Sequence, residues 1–209
     1  MCKFLLKICE IGEGIEIRRT FNLLKIKKLP MRRKEYLRIK RIMKEKIGKI
    51  FPIYIIESKE MNAKAPLVSI LCGTNHIYIS SSMYKKLTFR ERLAIIFHEI
   101  GHIVWPYKHV LSFLWFFLLI TPSMWFIYHH SFVFIVFLLL SRIISLINKR
   151  SEYFADKFAK EKIGGKYLLK ALKKSNEKVK KSLWKEIILF WPFKTHPPIE
   201  ERIKLLTSK

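Results

Sequence analysis

The chain has 209 residues, a length that suits one globular domain or a smaller one joined to membrane segments. Half of the residues are hydrophobic, yet 41 Lys and Arg stand against 16 Asp and Glu, for a formal charge of +25; such a mixture is expected to segregate into apolar runs and basic surface. Three cysteines without Cys-x-x-Cys spacing argue against a disulfide framework and a cysteine-held metal, and the lack of a Gly-rich phosphate loop, a zinc knuckle or an RNP-like aromatic motif means that no specific nucleic acid is expected.

Residues 1–29 alternate short apolar runs with Lys and Arg, hold no apolar core long enough for a cleaved signal peptide, and suit either a strand pair or an amphipathic surface segment. Pro30 is well placed to open a helix running to about Lys49, in which Leu37, Ile39, Ile42, Met43, Ile47 and Ile50 form a rough apolar stripe among many cations. Such a helix either lies on a membrane surface or packs on a core with a solvated basic back. Residues 51–56 read as a strand and 58–66 as a loop. Residues 67–72 and 76–80 read as a β-hairpin about Gly73-Thr74-Asn75. Thr88-Phe89-Arg90-Glu91 fits a capping box, and the helix it opens carries Leu93, Ile96, Phe97 and Ile100 on its apolar side, passes through His98-Glu99-Ile100-Gly101-His102 and should stop near Pro106.

Residues 109–128 and 131–147 are two almost uncharged apolar runs parted by His129 and His130. A bilayer core needs about 20 helical residues; the first run meets this and the second does so with its neighbours, Arg142 snorkelling or pairing. Lys108 flanks one side and Lys149 and Arg150 the other, while the tip has no Lys or Arg, so the positive-inside rule places both ends in the cytoplasm. Residues 151–162 then read as a helix broken by Gly164-Gly165, residues 166–189 as another, Thr195-His196-Pro197-Pro198 as a loop, and residues 199–206 as a short closing helix.

His98 and His102 are four residues apart, hence on one helix face, where two imidazoles can bind a single tetrahedral zinc. Glu99 sits beside the first of them and can reach a water at the metal, take its proton and pass it to a leaving amine. The pattern fixes only three residues, so chance matches occur; the apolar helix, the capping box and the small Gly101 favour a buried site. The metzincin continuation is excluded, because Trp105 and Lys108 stand where that form needs Gly and His. Glu152 is the better third ligand: Glu152 and Asp156 are again four apart on one helix face, and Asp156 can accept a hydrogen bond from a ligating histidine.

His-Glu-x-x-His, a hydrophobic hairpin, Glu-x-x-Ala-Asp and Thr-His-Pro, in that order, resemble the HtpX-type membrane metalloproteases, relatives of the CAAX prenyl proteases and the Oma-type mitochondrial proteases. The resemblance covers roughly residues 36–206 and includes Asn62-Ala63 and the Arg202 that follows Thr195-His196-Pro197. It implies zinc ligands His98, His102 and Glu152, Glu99 as general base and acid, and Asp156 supporting a ligand. It further implies His196 at the oxyanion or substrate, Arg202 supporting that loop or a substrate carbonyl, and Asn62 and Ala63 against the peptide backbone. In such enzymes a peptide adds as a strand beside the hairpin edge. No run before residue 109 could span, so a shortened relative with one membrane hairpin is implied, and prenyl-protein substrates are not expected.

The sequence therefore predicts an α+β, mostly helical, zincin-like domain with a small β-hairpin or sheet and a two-helix transmembrane hairpin inserted between the metal-binding helices. The expected divisions are a basic segment and amphipathic helix (1–50), a first catalytic part (51–107), the hairpin (108–148) and a second catalytic part (149–209). The expected function is a membrane-anchored zinc endopeptidase, one Zn2+ per chain, cutting cytoplasmic-side, membrane-associated or misfolded polypeptides. It would cross the cell membrane twice, with both termini and the catalytic part in the cytoplasm and the lipid bilayer as a partner. The alternatives are a self-cleaving or single-substrate regulatory protease and a non-catalytic basic membrane adaptor; the oligomeric state is open.

Overall fold

The computed structural model describes residues 15–17, 27–66, 74–106, 131–176 and 197–207. Among these residues the elements run β1 (Lys28–Leu29), α1 (Arg33–Ile47), β2 (Ile53–Ile56), β3 (Ala63–Lys64), β4 (Ile77–Ser80), α2 (Ser81–Lys86), α3 (Phe89–Val104), α4 (Ser131–Ile163), α5 (Gly165–Asn176) and α6 (Ile199–Thr207).

Pro30 does not open α1. Lys28 and Leu29 pair antiparallel with Ile56 and Ile55 as an edge strand, and Pro30, which has no N–H to donate, ends that ladder. Helix α1 starts three residues later and stops at Gly48, whose φ of +68° is accessible to glycine at little cost and whose N–H closes on the Lys44 carbonyl at 3.0 Å.

The sheet has the order β1-β2-β4-β3. Its centre is a parallel pairing of Ile53–Ile56 with Ile77–Ser80, and β3 lies antiparallel to β4 at the edge, Ala63 opposite Ile79. The segment expected as loop thus contains a strand. Two residues carry no strand signal of their own; β3 exists because its neighbour holds it. Asn62 N–H donates to Ser80 Oγ (3.1 Å) and Ser80 N–H donates back to the Asn62 carbonyl (2.9 Å). The other expected arm of the hairpin, residues 67–72, lies outside the described residues, and the described antiparallel partner of β4 is β3.

Helix α3 is the central element. Ile96, Phe97 and Ile100 are fully buried in one core with Ile77 and Ile79 of the sheet, Ile39 and Met43 of α1, Ala159 of α4, and Leu168 and Ala171 of α5. Of the apolar stripe read for α1, Ile39 and Met43 are buried in this core and Ile42 and Ile47 pack against it, whereas Leu37 and Ile50 are exposed.

The second apolar run and the third-ligand segment are one element. Helix α4 continues unbroken for 33 residues, about 50 Å, because no Gly or Pro interrupts 131–163. The division drawn at 148/149 falls inside it. Among the described residues no helix is long and apolar enough to cross a membrane; the first apolar run, 109–128, lies outside them. Helix α4 ends at Gly164, with φ +103°, and Gly165 already begins α5.

Candidate metal centre

The N-terminus of α3 is pinned twice. Thr88 Oγ1 accepts from Glu91 N–H (3.4 Å) while Glu91 Oε2 accepts from Thr88 N–H (2.8 Å), the expected capping box. Lys174 of α5 then closes on the same carboxylate at 2.7 Å. Burial alone would raise the Glu91 carboxyl; the Lys174 ammonium and the Thr88 donors outweigh it and hold the group below its usual value.

About three turns on, α3 meets α4 at a contact that only a residue without a side chain permits. A Cβ on Gly101 would sit 2.6 Å from Ala155 Cα and 3.0 Å from Ala155 Cβ. This close approach sets the histidines of one helix against the glutamate of the other. His98 Nε2 lies 3.3 Å from His102 Nε2 and 3.5 Å from Glu152 Oε2, and His102 Nε2 lies 3.4 Å from Glu152 Oε1. The three donors converge within 4.8 Å of one another.

These separations test the fit of a metal. A tetrahedral ion with bonds of about 2.0–2.1 Å needs its ligand atoms about 3.3–3.4 Å apart, and the three distances lie at that value or within 0.2 Å of it. Two imidazoles and one carboxylate are a donor set that suits zinc and leaves a fourth position open.

Each histidine is oriented from behind. His98 Nδ1 lies 3.0 Å from Asp156 Oδ1, and His102 Nδ1 lies 2.9 Å from Ser151 Oγ, so the Nε2 atoms are the ones turned toward the cluster. Arg202 of α6 forks onto Asp156, Nε to Oδ2 at 2.7 Å and Nη2 to Oδ1 at 2.6 Å, and its Nη1 is 3.4 Å from Glu152 Oε2. Burial alone would lower the His98 imidazole, but Asp156 and Glu152 push it up to about 10; the site carries an excess of negative charge of the kind a cation satisfies. Burial would likewise raise Asp156, and Arg202 and His98 hold it down instead.

Glu99 is buried beside the first histidine, and its Oε2 accepts from Ala65 N–H at 2.7 Å. Ala63 lies on β3, the strand that leads into Ala65, and Asn62 immediately precedes it. Thus His98, Glu99, His102, Glu152, Asp156 and Arg202 come together, with Asn62 and Ala63 on the adjoining sheet edge; His196 lies outside the described residues. Among the described residues Arg202 is engaged with Asp156 and Glu152. Ser151 and the Ala65 amide were not foreseen. Ser151 could have been found by asking what stands behind His102, since a ligating histidine nearly always has such a partner; a backbone amide gives no signal in sequence.

A helix bearing two histidines one turn apart, with an acid beside the first, crossed closely by a helix that supplies a glutamate, defines a metallopeptidase-like site on a zincin-like α+β fold. Residues 33–209 match peptidase family M48, and the chain belongs to that family, whose members are zinc metallopeptidases. The fold is similar to the crystal structure of S. mikatae Ste24p, with a TM-score of 0.57 at 19% sequence identity. That likeness covers 98% of this chain and 59% of the other, so the chain spans about three fifths of that protein's length. No curated protein matches.

Proposed function

We propose that the chain is a zinc-dependent endopeptidase that cuts membrane-associated or misfolded polypeptides at the cytoplasmic side of a membrane. The observation that carries this is the convergence of His98, His102 and Glu152 at tetrahedral-edge spacing, with Glu99 buried and fixed beside them. His98, His102 and Glu152 would hold the metal. When bound, zinc acidifies water toward a pKa of about 7 and polarises a carbonyl.

The chain's own residues do the rest. Glu99, held by the Ala65 amide, takes the proton of the attacking water and returns it to the leaving nitrogen. Asp156 and Ser151 keep His98 and His102 turned to the cluster, and Arg202 holds Asp156 ionised in its buried place. Among the described residues β3 is a sheet edge, and the chain passes directly from it to the amide on Glu99. A peptide added along Asn62-Ala63 would therefore bring its scissile bond past the general base. His196, just ahead of α6, is assigned to stabilising the oxyanion. The apolar runs 109–128 and 131–147 are assigned to the membrane anchor, with both ends cytoplasmic.

The test uses wild type and Glu99→Gln, purified in detergent under chelator, reloaded with zinc and given casein. Wild type should cleave, Glu99→Gln should bind zinc without cleaving, and Glu152→Ala should lose the metal. Two zinc-loaded proteins that both leave casein intact would end the general endopeptidase reading.

A further inference from the structure

We infer that the outer face of α1 is a docking surface for an anionic lipid bilayer, independent of the proteolytic reading. The two sides of this helix differ in kind. On the inner side Ile39 and Met43 are buried in the core, and Glu35 turns inward to Arg92 (2.9 Å) and to the Tyr84 hydroxyl (2.6 Å). On the outer side Arg33, Leu37, Arg41 and Lys44 follow one another at helical spacing, flanked by Lys34 and Arg38, and all six are exposed.

That face carries five cations and one acid, Glu45. Among the described residues no carboxylate pairs with Arg33, Lys34, Arg41 or Lys44; the helix's other acid in this stretch, Glu35, is committed to Arg92. Arg38 lies over the Phe89 ring at 4.4 Å and still faces out. In the middle of the cations stands Leu37, 55% exposed, and Ile50 is 47% exposed beside Lys49 just past the Gly48 cap.

The exposed leucine and isoleucine decide between polyanions. A nucleic-acid backbone rewards the cations alone and leaves both apolar side chains in water. A bilayer with anionic headgroups rewards both features: the cations sit among the phosphates while Leu37 and Ile50 enter the acyl boundary. The Glu35–Arg92 pair ties α1 to the metal helix six residues before His98. A bilayer seated on α1 would therefore fix the metal centre and the β3 edge at a set height and angle over the membrane.

The full chain, with Cys2, Cys9 and Cys72 replaced by serine and a polarity-sensitive dye on Leu37→Cys, is placed in lipid discs of phosphatidylcholine with and without phosphatidylglycerol. In the anionic discs the dye should blue-shift and become shielded from iodide, and about 1 M salt, where the Debye length is about 3 Å, should reverse both effects. Lys34→Ala/Arg41→Ala/Lys44→Ala should lower the docked-to-undocked ratio about 100-fold, near fivefold per cation. Equal charge removal on α5, by Lys166→Ala/Lys170→Ala/Lys173→Ala, should leave it unchanged. The proposal is overturned by a dye that stays in water in anionic discs, by equal shifts in both lipids, or by an α5 triple variant that weakens docking as much as the α1 triple. A dye in water together with triple-sensitive binding of polyuridylate would overturn it in favour of nucleic acid.

Discussion

Gly101→Ala puts the helix crossing to a test of sign. In an ordinary helix interior this substitution stabilises by about 1 kcal/mol, because alanine has the higher propensity. Here the new Cβ would meet Ala155 Cα at 2.6 Å, Ala155 Cβ at 3.0 Å and the Ala155 carbonyl at 3.3 Å. Carbon atoms rest at about 3.5–4.0 Å, so α3 and α4 must part by about 1 Å. Overpacking of this kind costs about 1–3 kcal/mol, which cancels or exceeds the propensity gain. The larger effect falls on the metal: His98 and His102 ride on one helix and Glu152 on the other, so their 3.4–3.5 Å separations would widen to about 4.5 Å. A zinc site tolerates about 0.2 Å, and affinity should fall about 100-fold or more, read by competition with a chromophoric chelator beside a thermal melt. Gly48→Ala is the control. It has open space but a φ of +68°, so it should cost stability, about 1 kcal/mol, and leave zinc affinity alone. A Gly101→Ala protein that melts at or above wild type and binds zinc as tightly would refute the reasoning.

The surrounding network yields three more expectations. Arg202→Ala strands the buried Asp156 carboxylate and should cost about 3–5 kcal/mol by urea unfolding, with Arg202→Lys recovering only part of it because a lysine cannot make the fork; equal stability of Lys and Arg variants would contradict this. Ser151→Ala removes the partner of His102 Nδ1 and should weaken zinc binding about tenfold while the melting temperature in chelator stays put; a shift of melting without one of affinity would count against it. Glu91 is held below its unfolded value, so its contribution to stability is fully present above the unfolded pKa and lost as pH falls through the folded one. Lys174→Met should make stability begin to fall at a higher pH on acidification, and superimposable pH profiles would rule the pairing out as the cause.

What could be read from the sequence are the interactions a single helix closes on itself. Thr88 and Glu91 are three residues apart, His98 and His102 four, and Glu152 and Asp156 four, so helical geometry alone puts each pair together wherever the helix lies. Glu152 was legible as a candidate ligand across fifty residues for a different reason: acids are scarce in this chain, and a second pair at the same spacing follows the apolar runs.

The rest depends on partners distant in sequence. Strand β3 is two residues long and takes its conformation from β4. The central pairing of β2 with β4 is parallel, so it rests on a crossover that a search for hairpin signals does not find. The α4 helix runs through the expected boundary because nothing in 131–163 breaks a helix, whereas the change in composition suggested a division. The sequence by itself determined the candidate metal-binding residues and the two helices that carry them, because both follow from local periodicity. Only the tertiary structure decided how those helices meet, with Gly101 on Ala155, Arg202 on Asp156 and the Ala65 amide on Glu99, because each of these contacts joins atoms more than thirty residues apart and is set by packing.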